Sequence, residues 1–505
     1  MVARITTAAF QGMDVLPIDV QVQISSGLPA FHMVGLPDKA VAESRERVRA
    51  ALQAMGMALP AKRITVNLAP ADVLKEGSHY DLPIALALLA ALNILPIEEI
   101  ANFMAMGELS LDGQITKVAG ILPAAFKAAE LGRGFICPEY CGREAAWVEG
   151  IDILPAPHLL AVIQHFQGKI LIHPPQAGQV EEAQNLPDLA DIKGQEAAKR
   201  MLEIAAVGGH HLLFSGPPGS GKSMLAARLT SLLPPLTPEE ALEISMIYSM
   251  GGLLEEGQIL RHRPFRDPHH SASQAAMVGG GSKAKPGEIS LAHTGVLFLD
   301  ELPEFPRACL EALRQSLETR KVTVARANHH VQYPARFQMV AAMNPCRCGY
   351  LDDPGMACAR APKCAVDYQA KISGPILDRI DLQMDVERVA YADLAITGAK
   401  ETSRDVAARV AKAREFQRAR REQYNLPSWA VNSTLEGAVL EEVAAPEAAG
   451  KKLLLEAGEK MRLSARGYHR VLKLARTLAD MEEEQQIRAH HVAEALNYRR
   501  VRSTG

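Results

Sequence analysis

The sequence predicts an α/β protein of several domains, and three observations carry that prediction. Between about residues 190 and 390, short apolar runs alternate with helical stretches, the pattern of a parallel sheet flanked by helices. Within that region, "HLLFSGPPGSGKSMLAARL" sets an apolar strand, a glycine-rich turn and a helix in immediate succession. The length, 505 residues, suggests roughly three domains, each long enough for its own core.

The first unit spans residues 1–168. Alternation in "PIDVQVQIS" (Pro17–Ser25) reads as a strand, "KAVAESRERVRAALQAMG" as a helix and "RITVNLAP" as another strand. The most apolar stretch, "LPIALALLAALNILPI" (Leu82–Ile97), is too short to span a bilayer and contains two prolines, so it reads as a buried helix. The N-terminus has no long apolar core and reads as a strand pair rather than a signal peptide. A cytoplasmic protein without membrane partners is expected. Residues 169–189 have the proline and polar content of a linker. The α/β core occupies 190–390, and 391–505 is helical to the end.

Bulk composition restricts the partners. Hydrophobic residues make up 48% and charged residues 22%, as in ordinary soluble proteins. A formal net charge of −3 carries no overall basic signature, so any DNA contact must use local patches or loops.

The chemistry begins at Gly216-Pro217-Pro218-Gly219-Ser220-Gly221-Lys222-Ser223, a G-x-x-x-x-G-K-S loop in the required strand-to-helix context. Its glycines let backbone N–H groups wrap phosphates, and the following helix turns its positive end toward them. Lys222 is expected to reach the β- and γ-phosphates and Ser223 to hold Mg²⁺. Downstream, the apolar run Val296–Leu299 in "TGVLFLDELPEF" reads as a buried strand. It delivers Asp300 to the Mg²⁺ side of the site and Glu301 to the position of the base that polarises water. A third apolar strand, "FQMVAAMN", ends at Asn344, which could orient that water. Nucleotide hydrolysis is the predicted reaction.

This order of motifs resembles an AAA+ ATPase. More narrowly, "GLPDKAVAESRERVRAAL", "KEGSHYDLPIALALL", "RPFRDPHHSAS", "GEISLAHTGVLFLDELPEF" and "SGPILDRIDL" resemble the magnesium-chelatase-like YifB/ComM family, over essentially the whole chain. The resemblance implies ATP and Mg²⁺ as cofactors, a homo-hexamer, and a helical lid over 391–505. It implies Asn344 as sensor 1 and Arg379 as an arginine finger reaching a neighbour's nucleotide. Arg466 would be the sensor 2 arginine, with Arg470 as a second candidate.

Two loops are candidates for DNA contact. A helix-2 insertion carries Gly279–Gly281 with Lys283 and Lys285, and a pre-sensor 1 hairpin in "KVTVARANHHVQYPARF" offers Arg326, His329 and His330. Solvated surface loops are the competing reading. The basic lid stretch "RVAKAREFQRARREQ" reads mostly as solvated helix surface.

Four of the seven cysteines, Cys346, Cys348, Cys358 and Cys364, share one Gly/Pro-rich excursion. In a reducing cytosol they could close a structural zinc site, although the spacing departs from C-x₂₋₄-C. A metal-free loop is the alternative. Cys137, Cys141 and Cys309 read as buried or isolated thiols.

The N-terminal unit also resembles the Lon protease domain (the S5 domain 2-like fold). Aligning "KEGSHYD" puts His79 at the serine nucleophile position, and aligning "AGILPA" puts Ala124 where the lysine belongs. Ser78 and Lys127 lie nearby but displaced, so a Ser–Lys dyad is not expected.

Three functions therefore compete. The first is a hexameric ATP-driven DNA motor for branch migration in natural transformation, acting on single-stranded or branched DNA with recombination proteins as further partners. The second is an ATPase remodelling a magnesium-chelatase-like protein partner, and the third a Lon-like protease.

Overall fold

The computed structural model describes residues 2–181, 186–280, 285–325, 330–351, 355, 358–389 and 401–499. Two sheets organise them. The first has seven strands in the order Ala30–Val34, Arg63–Ala69, Asp14–Ser25, Val2–Gln11, Phe103–Ala105, Gly134–Pro138 and Ile153–Ala156. Val2–Gln11 and Asp14–Ser25 form an antiparallel hairpin in register from Val2 opposite Gln23 to Gln11 opposite Asp14. Alternation in the second strand puts Val15, Ile18, Val20 and Val22 inside.

The apolar run Leu82–Ile97 forms a buried helix over its first part only, and the chain leaves that helix at Leu92. Asp81–Ala91 forms a helix buried from Asp81 to Ala90. Among the described residues no helix is long and apolar enough to cross a membrane. The amphipathic helix Lys39–Ala54 turns Val41, Val48, Ala51 and Leu52 inward. It is capped by Asp38, whose carboxylate accepts the Val41 N–H at 2.7 Å.

The second sheet is parallel throughout, in the order Phe265–Arg266, Val296–Leu299, Gln338–Met343, Leu212–Ser215 and Leu382–Asp385. The strand that feeds the glycine-rich loop thus lies next to the strand that ends before Asn344. The strand carrying Asp300 and Glu301 lies one place further. All three deliver their functional residues to the same, carboxyl edge.

Helices Ser403–Gln423, Gly437–Val443, Ala448–Lys460, Ala465–Met481 and Ala489–Asn497 complete the chain. Val406, Val410, Leu474 and Leu478 share a core with Leu202, Leu225 and Leu229 of the two helices beside the phosphate loop. Three basic side chains predicted to be solvated belong to this seam instead. Arg414 donates through Nε and Nη2 to the Ala206 carbonyl at 3.1 and 2.7 Å, and Arg421 donates to the Ala430 carbonyl. Arg420 is bound by Asp480, which is fully buried and also accepts from Arg476 at 2.9 Å. A low-dielectric seam leaves such guanidiniums stable only where acceptors are built in.

The N-terminal unit docks on helix Pro238–Gly251 of the second unit through its helices Ile121–Glu130 and Gly142–Ala145. Buried Glu144 accepts the Ser249 hydroxyl at 2.5 Å and the Leu122 N–H at 3.0 Å, and burial raises its pKa. Trp147 donates its indole N–H to the Gly257 carbonyl at 2.7 Å.

Candidate nucleotide site

The glycine-rich loop crosses from Ser215 to the helix Lys222–Leu232. Gly219 and Gly221 hold φ values of +77° and +90°, the left-handed region that lets the loop close without a Cβ. Lys222 begins the helix and is largely buried, with its ammonium donating to the Gly216 carbonyl at 2.8 Å, the Pro217 carbonyl at 2.9 Å and Asn344 Oδ1 at 3.3 Å. Burial lowers its pKa, against the opposing pull of Asp300 and Glu301. The predicted lysine and strand-end asparagine are therefore neighbours in space, 122 residues apart in sequence.

Ser223 donates its hydroxyl to Asp300 Oδ2 at 3.1 Å. Asp300 Oδ1 in turn accepts the Glu301 N–H at 2.8 Å. Glu301 sits at φ +51°, in the left-handed region. Ser220 is 1% exposed, and its hydroxyl has no hydrogen-bond partner among the described residues. An orphaned hydroxyl within a glycine-rich loop of this kind suits a phosphate oxygen.

Two residues here escaped the sequence reading. His270 Nδ1 lies 3.0 Å from Glu301 Oε2. Asp267 follows the edge strand Phe265–Arg266, and burial together with neighbouring Asp300 raises its pKa. That strand has two residues, too few to register as an apolar run; its parallel pairing with Val296–Leu297 is what carries Asp267 to the site.

Arg379 and Arg466 are elsewhere. Arg379 precedes the strand Leu382–Asp385, which pairs in register with Leu212–Ser215, so it lies at the amino edge of the sheet. It is paired with Glu318. Arg466 lines the same cleft and contributes its positive charge to the surroundings of Arg379. Arg470, the second lid candidate, is buried beside Asp381, 3.6 Å away.

Of the DNA-loop candidates, Lys283, Arg326 and His329 lie outside the described residues. Exposed Lys285 opens the short strand Lys285–Pro286, paired with Gly279–Gly280, and His330 opens the strand His330–Pro334, paired with Lys321–Ala325.

The cysteines fall into two close pairs, with Sγ–Sγ distances of 3.0 Å for Cys346–Cys348 and 3.3 Å for Cys358–Cys364. The thiols of Cys346, Cys348 and Cys364 lie within 4.8 Å of one another. Tetrahedral zinc with Zn–S bonds near 2.3 Å needs sulfurs about 3.8 Å apart, so small shifts fit the set to the ion. This loop touches the phosphate loop, because a Cβ on Gly349 would sit 2.6 Å from Pro218. Another trio, Glu482, His490 and His491, also brings ligand atoms together. There His491 Nδ1 accepts the Arg488 N–H at 3.0 Å, so its Nε2 carries the proton and donates to Glu482; this is a helix cap. Cys137, Cys141 and Cys309 are free and buried.

At the positions compared with Lon, His79 Nε2 lies 2.8 Å from the Ala8 carbonyl, and Ala124 is buried. Ser78 donates to Glu108, whereas Lys127 pairs with Glu130 at 2.7 Å.

Residues 188–394 match the family model for magnesium chelatase, subunit ChlI; residues 20–140 and 400–499 match two further models, for subunit ChlI of Mg-chelatase and for the ChlI C-terminal region. The chain is 44% identical to the competence protein ComM of Haemophilus influenzae, across 98% of this chain and 97% of that one. It is 43% identical to the YifB protein of Escherichia coli, across 98% and 96%. The magnesium-chelatase 67 kDa subunit of Chlorobaculum tepidum is 28% identical over 36% of this chain and 27% of its own. The chain belongs to the YifB/ComM family of magnesium-chelatase-like AAA+ ATPases.

Proposed function

We propose that this protein is an ATP hydrolase working as a homo-hexameric DNA motor that drives branch migration of recombination intermediates, in the uptake and integration of foreign DNA. One observation carries the reading. Lys222, Ser223, Asp300, Glu301 and Asn344 gather at the carboxyl edge of the sheet, while Arg379 and Arg466 gather at the amino edge. A complete site then takes its arginines from a second copy, as a closed head-to-tail ring supplies.

The residues present suit ATP and Mg²⁺. The Ser220 hydroxyl, the loop N–H groups and the start of helix Lys222–Leu232 would hold phosphate oxygens, and Ser223 with Asp300 form an oxygen pair suited to Mg²⁺. When bound, Mg²⁺ supplies charge neutralisation at the transferring phosphoryl group. Lys222 places a second positive charge there. Glu301 takes the proton of the attacking water while Asn344 orients that water. Arg379 and Arg466 of the adjoining copy stabilise the charge that develops in the transition state.

The DNA-contacting residues in this reading are Lys283 and Lys285, in the segment carrying the strand pair Gly279–Gly280 and Lys285–Pro286, and Arg326, His329 and His330, in the segment carrying the pair Lys321–Ala325 and His330–Pro334. Residues 391–505 serve as the lid, with its helices running from Ser403 among the described residues. We assign residues 1–168 to a Lon-type fold without peptidase chemistry, a reading supported by the separate partners of Ser78 and Lys127. Cys346, Cys348, Cys358 and Cys364 hold a structural zinc that stiffens the loop resting on Pro218. The similarity to ComM, a competence protein, favours the DNA role. The partial match to a magnesium-chelatase subunit keeps a protein partner as the second reading.

The test is steady-state ATP hydrolysis with and without branched DNA, beside Lys222→Ala. Strong stimulation that disappears in the variant supports the motor. A Lys222-dependent rate indifferent to every DNA structure overturns it in favour of a protein partner.

A further inference from the structure

The turn between the first two strands of the N-terminal sheet touches the second unit at an unexpected place. Gly12 lies against the hairpin strand His330–Pro334, and a Cβ there would sit 2.5 Å from the Gln332 carbonyl oxygen and 3.2 Å from Val331 Cγ1. Gly12 also holds φ +69°, so its conformation and its contact both require glycine. The next residue, Met13, packs against two apolar clusters. One includes Val322, Val324, Val331 and Tyr333 of the hairpin, and the other Ile244 and Ile247 of helix Pro238–Gly251.

That hairpin is wired into the hydrolysis site at both ends. Its first strand follows the helix Arg307–Thr319, which leads back to Glu301, and its second runs into Gln338–Met343, the strand that ends before Asn344. Its base also shares an apolar cluster with Met277, which precedes the Gly279–Gly280 ribbon. Arg320, immediately before the first strand, and Arg336, two residues after the second, place their guanidinium carbons 4.9 and 5.3 Å from the Trp429 ring centre. Arg336 is further tied to Glu243 on helix Pro238–Gly251.

We propose that Gly12 and Met13 are positioning residues for the strand pair Lys321–Ala325 and His330–Pro334: the N-terminal sheet sets the angle at which this ribbon meets DNA and thereby couples DNA engagement to ATP hydrolysis. The inference rests on the DNA-motor reading for its ligand, but not for its mechanical part. A backbone carbonyl in contact with a glycine Cα resists displacement on that side, so motion of the ribbon is directed into the strand that ends at Asn344 rather than absorbed by a free loop.

The experiment uses the full-length protein, with Gly12→Val and the gentler Met13→Ala. ATP hydrolysis is measured without DNA and across a titration of branched DNA. The expected result is a DNA-free kcat and KM for ATP within about twofold of the parent, with maximal DNA stimulation reduced at least fivefold. Parallel loss of DNA-free and DNA-stimulated rates, or no change in either, overturns the proposal. Trp429 gives an independent readout, since a Trp147→Phe background leaves it as the chain's one tryptophan. There, Gly12→Val should shift the indole emission at 25 °C with cooperative unfolding retained, and an unchanged spectrum overturns the mechanical part. If the parent protein ignores DNA but the emission shifts, the DNA reading fails while the positioning role stands.

Discussion

Two inactive variants, Lys222→Ala and Arg379→Ala, should rescue each other when mixed. The strands Leu212–Ser215 and Leu382–Asp385 run parallel and in register. Arg379 enters before the amino end of that pair, and Lys222 lies beyond the carboxyl end. The three rises of about 3.3 Å across each four-residue strand separate the two ends by ~10 Å before either loop is counted. Arg379 is moreover tethered to Glu318, so its own chain cannot present it to phosphates held by Lys222. Removing an arginine finger costs roughly 10³- to 10⁵-fold in rate, about 4–7 kcal/mol of barrier, and each variant alone should fall to background. In rings reassembled from an equimolar mixture, an interface is intact when the Arg379→Ala copy supplies the loop and the Lys222→Ala copy supplies the finger. Random assembly of a head-to-tail ring makes that about one interface in four. Mixed samples should therefore recover a rate far above either variant, up to about a quarter of the parent's for independent sites. The assay is DNA-stimulated ATP hydrolysis after co-refolding or subunit exchange, with differently tagged copies confirming mixed rings. Mixed rings no faster than the sum of the two variants would refute the trans arrangement and leave Arg379 as a structural partner of Glu318.

Three further outcomes can be checked directly. Purified protein should carry about one zinc per chain by metal analysis, and Cys346→Ser should lose it together with several-fold affinity for ATP, because the loop rests on Pro218. Asp480→Ala strands Arg420 and Arg476 in a buried seam and should cost about 3–5 kcal/mol in denaturant unfolding; a loss below about 1 kcal/mol would mean the guanidiniums find other acceptors. Burial pushes the His211 imidazole down to about 4, and its Nδ1 accepts the Met339 N–H at 3.0 Å. The unfolded chain, titrating near 6.5, then binds the extra proton between those values. Stability should be full above about pH 6.5 and fall by about 2 kcal/mol toward pH 4, with His211→Asn flattening that slope.

What was legible in the sequence shares one property: its physics is local. Gly216 to Ser223 is contiguous, and its conformation follows from glycine, a strand before it and a helix after it. Val296–Leu299 announced itself as four apolar residues, and the helix at 81–91 by its unbroken apolar face. His270 was invisible because it reaches Glu301 only through the pairing of a two-residue strand. Arg414, Arg420 and Arg421 were misjudged for a related reason. A basic helix face looks solvated until the acceptors opposite it are known, and those come from Ala206, Ala430 and Asp480, on other elements.

The same limit explains why Arg379 and Arg466 could be picked out as residues but not grouped. Sequence order puts Arg379 between Asn344 and the C-terminal helices, close to the candidate site residues along the chain. Its location follows from strand direction alone: residues after a strand in this parallel sheet reach the carboxyl edge, and residues before one stay at the amino edge. Asp300, Glu301, Asn344 and Lys222 all follow strands; Arg379 precedes one. Arg466 carries no such label, since it sits on a helix, and only the docking of Ala465–Met481 against the core brings it to the same cleft. On the proposed reading a site built this way is incomplete in each chain, and a ring becomes a condition of its chemistry rather than an addition to it.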